Sequence, residues 1–328
     1  MIVVTGGAGF IGSNIVKGFN EQGRTDILVV DDLSEADKAL NLSDCRFADY
    51  MDKGEFLDRC QRDKFSYSID AIFHEGACSD TMATDGQYVM ENNFSYSKHL
   101  YEFCSRHKTQ FIYASSASVY GAGSVFKEHP DNERPLNAYA FSKYVFDNYV
   151  RENPPIDFQA VGLRYFNVYG YREQHKGRMA SVAYHFYNQF QENASVRLFK
   201  GVDGYANGEQ LRDFISVEDV VSVNQYLLDH PEVKGFLNVG TGQCRSFNDV
   251  ALATINACLK LRGEADEVTL DVAISSNLIS YIPMPEALLG KYQSYTQADI
   301  AALKDTGYNS SFYDVKEGVE RYINKLAS

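Results

Sequence analysis

The 328-residue sequence predicts a doubly wound α/β fold, in which helices cover both faces of a parallel sheet and a smaller lobe follows. Two observations carry this prediction. Short apolar runs alternate with longer helical patterns through the first half of the chain, and a run of glycines joins the first strand to the first helix. After about Gly170 the alternation loosens. We therefore expect residues 1–170 to form the sheet domain and residues 171–328 mainly the lobe, with some segments returning to the sheet domain.

The apolar periodicity places the individual elements. The predicted strands of the first part are residues 2–5, 27–31, 69–74, 111–115 and 158–163. The predicted helices between them include residues 11–20 and 82–107. In the second part we expect a helix over 179–191, a strand near 197–199 and a closing helix over 313–325. The polar, acidic stretch 262–279 shows no clear period, so we interpret it as a surface excursion.

Charge and composition exclude several classes of function. The formal net charge of −13 argues against a surface for nucleic acid or for an anionic membrane. No stretch approaches the ~20 consecutive apolar residues that span a bilayer, and the first strand leaves no room for a signal peptide, so we expect a cytoplasmic protein. The cysteines have no C-x-x-C pair, so we expect no metal site or disulfide framework, and we interpret them as core residues. They are Cys45, Cys60, Cys78, Cys104, Cys244 and Cys258.

The glycine run is the first candidate binding site. Gly6, Gly9 and Gly12 satisfy G-x-x-G-x-x-G, with a predicted strand before them and a predicted helix after. Glycines permit a tight turn and a close approach of the backbone to a pyrophosphate, and the helix N-terminus offers free N–H groups. Asp31 ends the second strand about twenty residues on, as a Rossmann dinucleotide site requires. The sequence therefore predicts a Rossmann sheet that binds a nicotinamide dinucleotide.

The residues after the second strand leave the choice between NAD and NADP open. Asp31 and Asp32 would suit the ribose 2′-hydroxyl of NAD, whereas the 2′-phosphate of NADP requires cations. Lys38 and Lys53 could supply those cations.

A second motif predicts acid–base chemistry. Tyr139 and Lys143 form Y-x-x-x-K, a spacing that places both side chains on one face of a helix. An ammonium beside a phenol lowers the pKa of the phenol from ~10 towards the working pH, so the tyrosine can exchange a proton with a carbinol. Ser116 follows a predicted strand at the edge of the sheet where ligands bind, and can hydrogen-bond the reacting oxygen. We interpret these three residues as the catalytic set.

Several segments together resemble the extended short-chain dehydrogenases/reductases, the NAD-dependent epimerase/dehydratase family. They are the glycine turn 5–12, the Ser-Ser-x-x-x-Tyr-Gly segment 115–121, the pair in 139–143, and Arg-Tyr-Phe-Asn-Val-Tyr-Gly at 164–170. Within that family, residues 73–79, 172–183, 212–214 and 292–299 are similar to epimerases that invert C6″ of an ADP-heptose. The resemblance runs nearly end to end, and H-K-G-x-M-A-S-V at 175–182 is its most specific part.

The resemblance implies a reaction and its cofactor. Bound NADP takes a hydride from the sugar carbon and returns it to the opposite face, with an ADP-heptose as substrate and lipopolysaccharide core supply as the purpose. A second acid/base is useful on the other face of the ketone, and the resemblance suggests Lys176 for it. It also implies a homo-oligomer, with a pentamer as precedent.

The resemblance further implies contact residues. The cofactor contacts would be Gly6, Gly9, Phe10, Ile11, Gly12, Asp31, Asp32, Lys38, Lys53, Glu75, Gly76, Ala77, Cys78, Ser79, Asn92, Lys143, Val168 and Lys176. The substrate contacts would be Asn167, Arg178, His185, Phe199, Lys200, Gly201, Val202, Arg212 and Tyr292. The sequence departs from the pattern at Asp32, where a neutral residue is expected, and at Arg178, where a small polar residue is usual. The stretch 262–279 also looks longer than the family needs.

Two other functions compete with this interpretation. A UDP-hexose 4-epimerase shares every feature named except the 175–182 segment. A non-catalytic nucleotide-binding sensor would keep the glycine turn, but it has no physical need for an activated phenol. A sugar 4,6-dehydratase is excluded because no acidic pair lies beside Ser116.

Overall fold

The structure is a computed structural model that describes residues 1–264, 266–286 and 293–328. Its largest sheet, within the described residues, has seven strands, and every neighbouring pair is parallel. The strands are β1 (Ile2–Thr5), β2 (Ile27–Asp31), β3 (Asp49–Asp52), β4 (Ala71–His74), β5 (Gln110–Ser116), β6 (Ala160–Tyr165) and β10 (Gly235–Val239). Their order is β10-β6-β5-β4-β1-β2-β3. The predicted fold class is confirmed.

Helices separate these strands along the chain. They are α1 (Phe10–Glu21), α2 (Lys53–Gln61), α3 (Gly86–Met90), α4 (Tyr96–His107) and α5 (Ala138–Glu152), with 3-10 turns at Ala36–Leu42, Ala117–Tyr120 and Pro130–Asn132. The single helix predicted over 82–107 is wrong in two places. It begins only at Gly86, because Asp85 caps it by accepting from the Tyr88 N–H, and a π-helical turn at Glu91–Ser95 separates α3 from α4.

The strand β3 was missed because its sequence has no apolar run. Asp-Tyr-Met-Asp buries only Met51, at the edge of the sheet, whereas every residue of β1, β2 and β4 is buried. A pattern of continuous apolar residues predicts a central parallel strand, not a mostly solvated edge strand.

Contacts within the chain divide it into two compact units. Unit 1 comprises Met1–Tyr165, Val220–Val239 and Ala301–Asn309, and unit 2 comprises Phe166–Asp219, Gly240–Ile300 and Ser310–Ser328. The seven-stranded sheet belongs to unit 1. The helix α7 (Val217–Asp229) begins in the last residues of a unit 2 segment and continues in unit 1, which also contains α10 (Ala301–Asp305).

Unit 2 has two small sheets and its own core. The strands are β7 (Asn167–Tyr169), β8 (Val196–Phe199), β9 (Leu211–Ser216), β11 (Cys244–Ser246) and β12 (Ile279–Ile282), in the orders β11-β9-β7 and β12-β8. The helices are α6 (Val182–Asn193), α8 (Phe247–Leu261), α9 (Leu270–Ser275) and α11 (Val315–Ala327). Apolar residues of α6, α8 and α11 form one buried cluster with β8.

The stretch 262–279, interpreted as a surface excursion, is mostly exposed among its described residues but contains regular structure. Thr269 caps α9 by accepting from the Val272 N–H, Ala273 of that helix is fully buried, and Ile279 begins β12. The short helix buries a single residue, too few to give a visible period.

Two further expectations concern membranes and cysteines. Among the helices of the described ranges, none combines the length and hydropathy that a bilayer-spanning segment requires. Cys60, Cys104 and Cys258 are buried, as predicted. The core assignment is wrong for the other three cysteines, which are half-buried: Cys45, Cys78 and Cys244.

Candidate active site

The glycine turn forms a cradle with no room for side chains. Gly6 has φ +64°, and a Cβ there would lie 2.6 Å from the backbone nitrogen of Gly76. A Cβ on Gly12 would lie 2.2 Å from the Gly6 carbonyl oxygen. Gly9 donates its N–H to that same carbonyl oxygen at 2.9 Å and is the N-cap residue of α1, which opens with Phe10 and Ile11. This backbone can approach a pyrophosphate, with the N–H groups of α1 directed at it.

The turn also lies where the sheet reverses its strand order. β1 pairs with β2 on one side and with β4 on the other, so the chain segments after β1 and β4 leave the sheet side by side. Ligands of doubly wound sheets bind at such a switch point.

The acidic pair after β2 is neutralised by the two lysines. Asp31 accepts from the Ala8 N–H at 2.8 Å through Oδ2, and from Lys38 Nζ at 2.5 Å through Oδ1. Asp32 forms an ion pair of 2.8 Å with Lys53, whose hydrogen bond holds the pKa of that carboxyl below its usual range. Each predicted carboxylate therefore has a predicted lysine as its partner.

The segment after β4 is held by an asparagine that the sequence did not single out. Asn93 is fully buried in the π-helical turn. Its side chain accepts from the Cys78 N–H at 2.7 Å and donates to the Cys78 carbonyl at 3.0 Å and the Ser142 hydroxyl at 2.9 Å. It thereby fixes Cys78 against α5.

That asparagine positions the predicted cofactor segment, whose members are Glu75, Gly76, Ala77, Cys78 and Ser79. The predicted contact Asn92 precedes it on the π-helical turn and accepts from Lys53 Nζ at 3.3 Å. No signal in the sequence marked Asn93, because its burial and the π-helical turn that carries it are seen only in the structure. Such turns are frequent at functional sites.

Ser116 is the last residue of β5, and Tyr139 lies close to it in the first turn of α5. Asn137 starts α5 by accepting from the Ala140 N–H at 2.8 Å, which places Tyr139 in that first turn. Burial raises the pKa of the Tyr139 phenol, and a hydrogen bond with the Ser116 hydroxyl opposes that shift. The Ser116 hydroxyl also accepts from the Ser118 N–H at 3.1 Å. The catalytic serine and tyrosine of the prediction are therefore in contact.

Lys143 is buried one turn further along α5. Its Nζ donates to the Ala114 carbonyl oxygen at 2.6 Å. Burial lowers its pKa to about 8, against the opposing effect of two carboxylates, Glu75 and Asp147. The Lys143 ammonium therefore gives up its proton more readily than the ammonium of an ordinary lysine.

The predicted lowering of the phenol pKa by Lys143 is wrong for the chain on its own. Burial raises the pKa of Tyr139 above its usual value, and Glu75 raises it further. The main reason is that burial disfavours the charged phenolate, and the nearby Glu75 carboxyl group adds to that effect, while the Lys143 ammonium donates to the Ala114 carbonyl oxygen.

Unit 2 carries the remaining predicted site residues. Lys176 and Arg178 lie in a 3-10 turn over Gln174–Met179, in which Gly177 has φ +52°. The Lys176 N–H donates to the Glu173 carbonyl at 3.0 Å. Burial lowers the pKa of Lys176, and the Glu173 carboxylate opposes that shift. His185 of α6 contacts the Arg178 carbonyl at 3.4 Å.

Glu173 is a second residue that sequence reasoning missed. It is fully buried, and its carboxylate accepts from the Gly170 N–H at 3.2 Å and from the Ser181 hydroxyl at 2.7 Å. It thus ties together the two ends of the loop that carries Lys176.

The other substrate candidates lie at the ends of unit 2 strands. Asn167 is exposed and Val168 half-buried on β7, which pairs with β9. Arg212 is buried on β9, with its guanidinium 5.9 Å from the Phe247 ring. The turn after β8 contains Phe199, Lys200, Gly201 and Val202, and a Cβ on the glycine would lie 1.9 Å from the Tyr205 carbonyl. Tyr292 lies outside the described residues.

Comparisons with known proteins show similarity to one family of enzymes. The NAD dependent epimerase/dehydratase family matches residues 2–240. A curated ADP-L-glycero-D-manno-heptose-6-epimerase of Thiobacillus denitrificans is 60% identical over 325 residues, which are 99% of this chain and 98% of that protein.

Two solved structures are similar over almost the whole chain. The ADP-L-glycero-D-manno-heptose-6-epimerase of Helicobacter pylori is 30% identical with a TM-score of 0.79, covering 100% of this chain and 96% of that one. The UDP-glucose 4-epimerase of Thermotoga maritima, solved with UDP-glucose, is 25% identical with a TM-score of 0.78, covering 99% and 98%.

Proposed function

Since the chain belongs to the NAD dependent epimerase/dehydratase family, we propose that it is an isomerase that inverts C6″ of ADP-D-glycero-D-manno-heptose. The product is ADP-L-glycero-D-manno-heptose, a precursor for the inner core of lipopolysaccharide. The observation that carries the proposal is the 60% identity, over 99% of the chain, to an ADP-heptose 6-epimerase. The similarity to a UDP-glucose 4-epimerase is 25%, so a UDP-hexose is the less favoured substrate.

The residues of unit 1 fit a nicotinamide dinucleotide. The support is the cradle at Gly6 and Gly12, which a Cβ would fill, and the N-terminus of α1 beside it. When bound, such a cofactor supplies a hydride acceptor that returns the hydride in the same catalytic cycle. The glycine turn would hold the pyrophosphate, and the residues after β2 would hold the adenosine ribose.

We further propose that NADP is the preferred cofactor. Both Asp31 oxygens already accept hydrogen bonds from the chain, and each carboxylate of the acidic pair has a lysine partner. A ribose 2′-hydroxyl would find both Asp31 oxygens occupied. The ammonium groups of Lys38 and Lys53 are partly exposed and each has three N–H donors, of which the chain uses two, so one donor of each can serve a 2′-phosphate. Charge-assisted hydrogen bonds of this type are worth about 1.5–3 kcal/mol.

The cofactor preference is tested with Lys53→Met. We expect the variant to bind NADP at least ~10-fold more weakly while its affinity for NAD is nearly unchanged, because ~1.4 kcal/mol corresponds to a factor of ten. Lys17→Met is the matched control, since Lys17 pairs with Asp44 on the surface. Calorimetric titration measures both constants, and tighter binding of NAD than of NADP by the unaltered protein would contradict the proposal.

Tyr139 and Ser116 perform the proton chemistry in this proposal. The Tyr139 oxygen takes the proton of the C6″ hydroxyl when one of the two epimers is oxidised to the ketone, and gives a proton back when that same epimer is formed again. Ser116, which already hydrogen-bonds the phenol, orients the reacting oxygen. Lys143 provides positive charge beside them, and its hydrogen bond to Ala114 fixes its place.

Inversion requires the hydride to leave C6″ from one face and to return to the opposite face of the planar ketone, so the hydroxyl of the second epimer needs an acid/base of its own. We propose Lys176 for this role. Burial lowers its pKa from that of an ordinary lysine, which brings it closer to the range of a proton donor and acceptor at neutral pH.

The decisive experiment is incubation of the purified protein with ADP-D-glycero-D-manno-heptose, with the C6″ configuration read by proton NMR. We expect an equilibrium mixture of the two C6″ epimers and no net change in cofactor redox state. UDP-glucose in a parallel reaction separates the two candidate substrates. Turnover of UDP-glucose alone would replace the proposed substrate by a UDP-hexose, and turnover of neither would favour a binding protein.

A further inference from the structure

Glu75 is a half-buried residue with one buried carboxyl oxygen, in a segment so far considered only for cofactor contact. It follows β4, which pairs with β5 in a register that sets Glu75 beside Ala114, whose carbonyl oxygen accepts from Lys143 Nζ at 2.6 Å. Its N–H donates to the Thr5 carbonyl at 3.0 Å, which ties it to the strand before the glycine turn. The next residue, Gly76, packs so closely against Gly6 that a Cβ on Gly6 would lie 2.6 Å from the Gly76 nitrogen. The backbone therefore fixes where the Glu75 side chain starts.

The two oxygens of this carboxyl group have different surroundings. Oε1 accepts from the Tyr165 hydroxyl at 3.0 Å, and that hydroxyl in turn accepts from the Asn224 side chain at 3.0 Å. Oε2 is buried and has no hydrogen-bond partner among the described residues. Ionisation of the carboxyl group would leave this oxygen buried without a hydrogen bond, which costs free energy. Burial therefore raises the pKa of Glu75 to about 7.

The carboxyl group also acts on both members of the catalytic pair. It raises the pKa of Tyr139 and raises that of Lys143. Among the neighbouring groups, Tyr165 is the hydrogen-bond donor already named. His74, which precedes Glu75, is held neutral because burial lowers its pKa to about 3.

Two more acidic groups act on the pair rather than on Glu75. Cys78 adds a small raising effect at Tyr139, and Asp147 acts on Lys143. Among the described residues, Glu75 is the one carboxyl group that shifts the pKa of both Tyr139 and Lys143.

Resting on the proposed function, we propose that Glu75 is a positioning residue that controls the protonation of the Tyr139–Lys143 pair. When Glu75 is ionised, its carboxylate opposes ionisation of the Tyr139 phenol and keeps the Lys143 ammonium charged. When Glu75 is protonated, both effects are lost. Three groups therefore share the protons of the site, and the activity depends on pH through Glu75 as well as through the pair.

The test is the pH profile of kcat/KM for Glu75→Gln. The amide can still accept from Tyr165 but carries no charge. The phenol should then ionise at lower pH and Lys143 should lose its proton at lower pH, so both limbs of the profile move down by about one pH unit. Glu75→Asp, which keeps the charge, should stay close to the unaltered profile. Unmoved limbs in Glu75→Gln would overturn the proposal, whether or not the maximum falls.

A second readout does not depend on turnover. Infrared difference spectra of the unaltered protein should show the carbonyl stretch of a protonated carboxyl group that disappears with a midpoint of about pH 7. Asp219, whose pKa burial also raises to about 7, contributes a band of the same kind. Glu75 is therefore assigned the part of the band that is lost in Glu75→Gln and kept in Glu152→Gln, the same change at an exposed position of the helix that carries Tyr139. If the band behaves in this way but ADP-heptose is not epimerised, the proposed function fails and the carboxyl assignment stands. A missing band in the unaltered protein would end the assignment.

Discussion

Replacement of Arg164 by methionine should be among the most damaging substitutions in unit 1. Its side chain is completely buried and donates to two carboxylates. The bonds to Asp147 are 3.2 Å and 2.9 Å, the bond to Glu133 is 2.5 Å, and the bond to the Tyr120 hydroxyl is 3.0 Å. Methionine fills a similar volume but supplies no positive charge, so two buried carboxylates lose their shared cation.

The magnitude follows from which charges stay paired. In Arg164→Met, Asp147 keeps its hydrogen bonds from Ser115 and Tyr113 but has no cation, and removing one partner of a buried ion pair costs about 3–5 kcal/mol. Arg151→Met is the matched control. It also removes an arginine from Glu133, but Arg151 is partly exposed and Glu133 keeps Arg164, so we expect a cost of about 1 kcal/mol.

The assay is urea unfolding followed by circular dichroism, since the chain has no tryptophan. The difference should also depend on pH. Burial raises the pKa of Asp147, and Arg164 opposes that shift, so the pKa rises further in the variant. A carboxyl group whose pKa is higher in the folded than in the unfolded protein lowers the free energy of unfolding as the pH rises above its unfolded pKa. The loss of stability in Arg164→Met should therefore be larger at pH 8 than at pH 4. Equal costs for the two variants at pH 8 would refute the reasoning.

Three further substitutions test the site. Tyr139→Phe should lower kcat by at least ~100-fold with cofactor binding intact, because it removes only the proton-carrying oxygen; normal turnover by steady-state assay would exclude the phenol as acid/base. Lys176→Met should also lower epimerisation ~100-fold or more, yet leave some dismutation of a C6″-aldehyde analogue, which NMR of both products detects. A variant epimerising at the normal rate would leave one base. Gly12→Ala should abolish cofactor binding in calorimetry, because its Cβ would meet the Gly6 carbonyl at 2.2 Å, whereas Gly86→Ala, with nothing within 4 Å, should bind normally.

The sequence by itself determined the elements whose signal is local. The strands β1 and β2 were predicted at their observed bounds because every residue in them is apolar or ends the strand at the ligand edge. The glycine turn was predicted because the spacing of Gly6, Gly9 and Gly12 has one physical use between a strand and a helix. The Y-x-x-x-K pair was also visible, since helical spacing alone places Tyr139 and Lys143 on one face.

The tertiary structure decided the properties that depend on residues distant in the chain. Nothing near Asp31 in sequence indicates that its oxygens are taken by Ala8 and Lys38, and nothing near Tyr139 indicates that Glu75 opposes its ionisation. Asn93 likewise looked like any polar helix residue until its contacts with Cys78 were formed. The physical reason is that apolar periodicity and turn chemistry act over a few residues along the chain. The pKa of a buried group depends instead on its desolvation and on the charges beside it, and folding brings those from separate strands and helices.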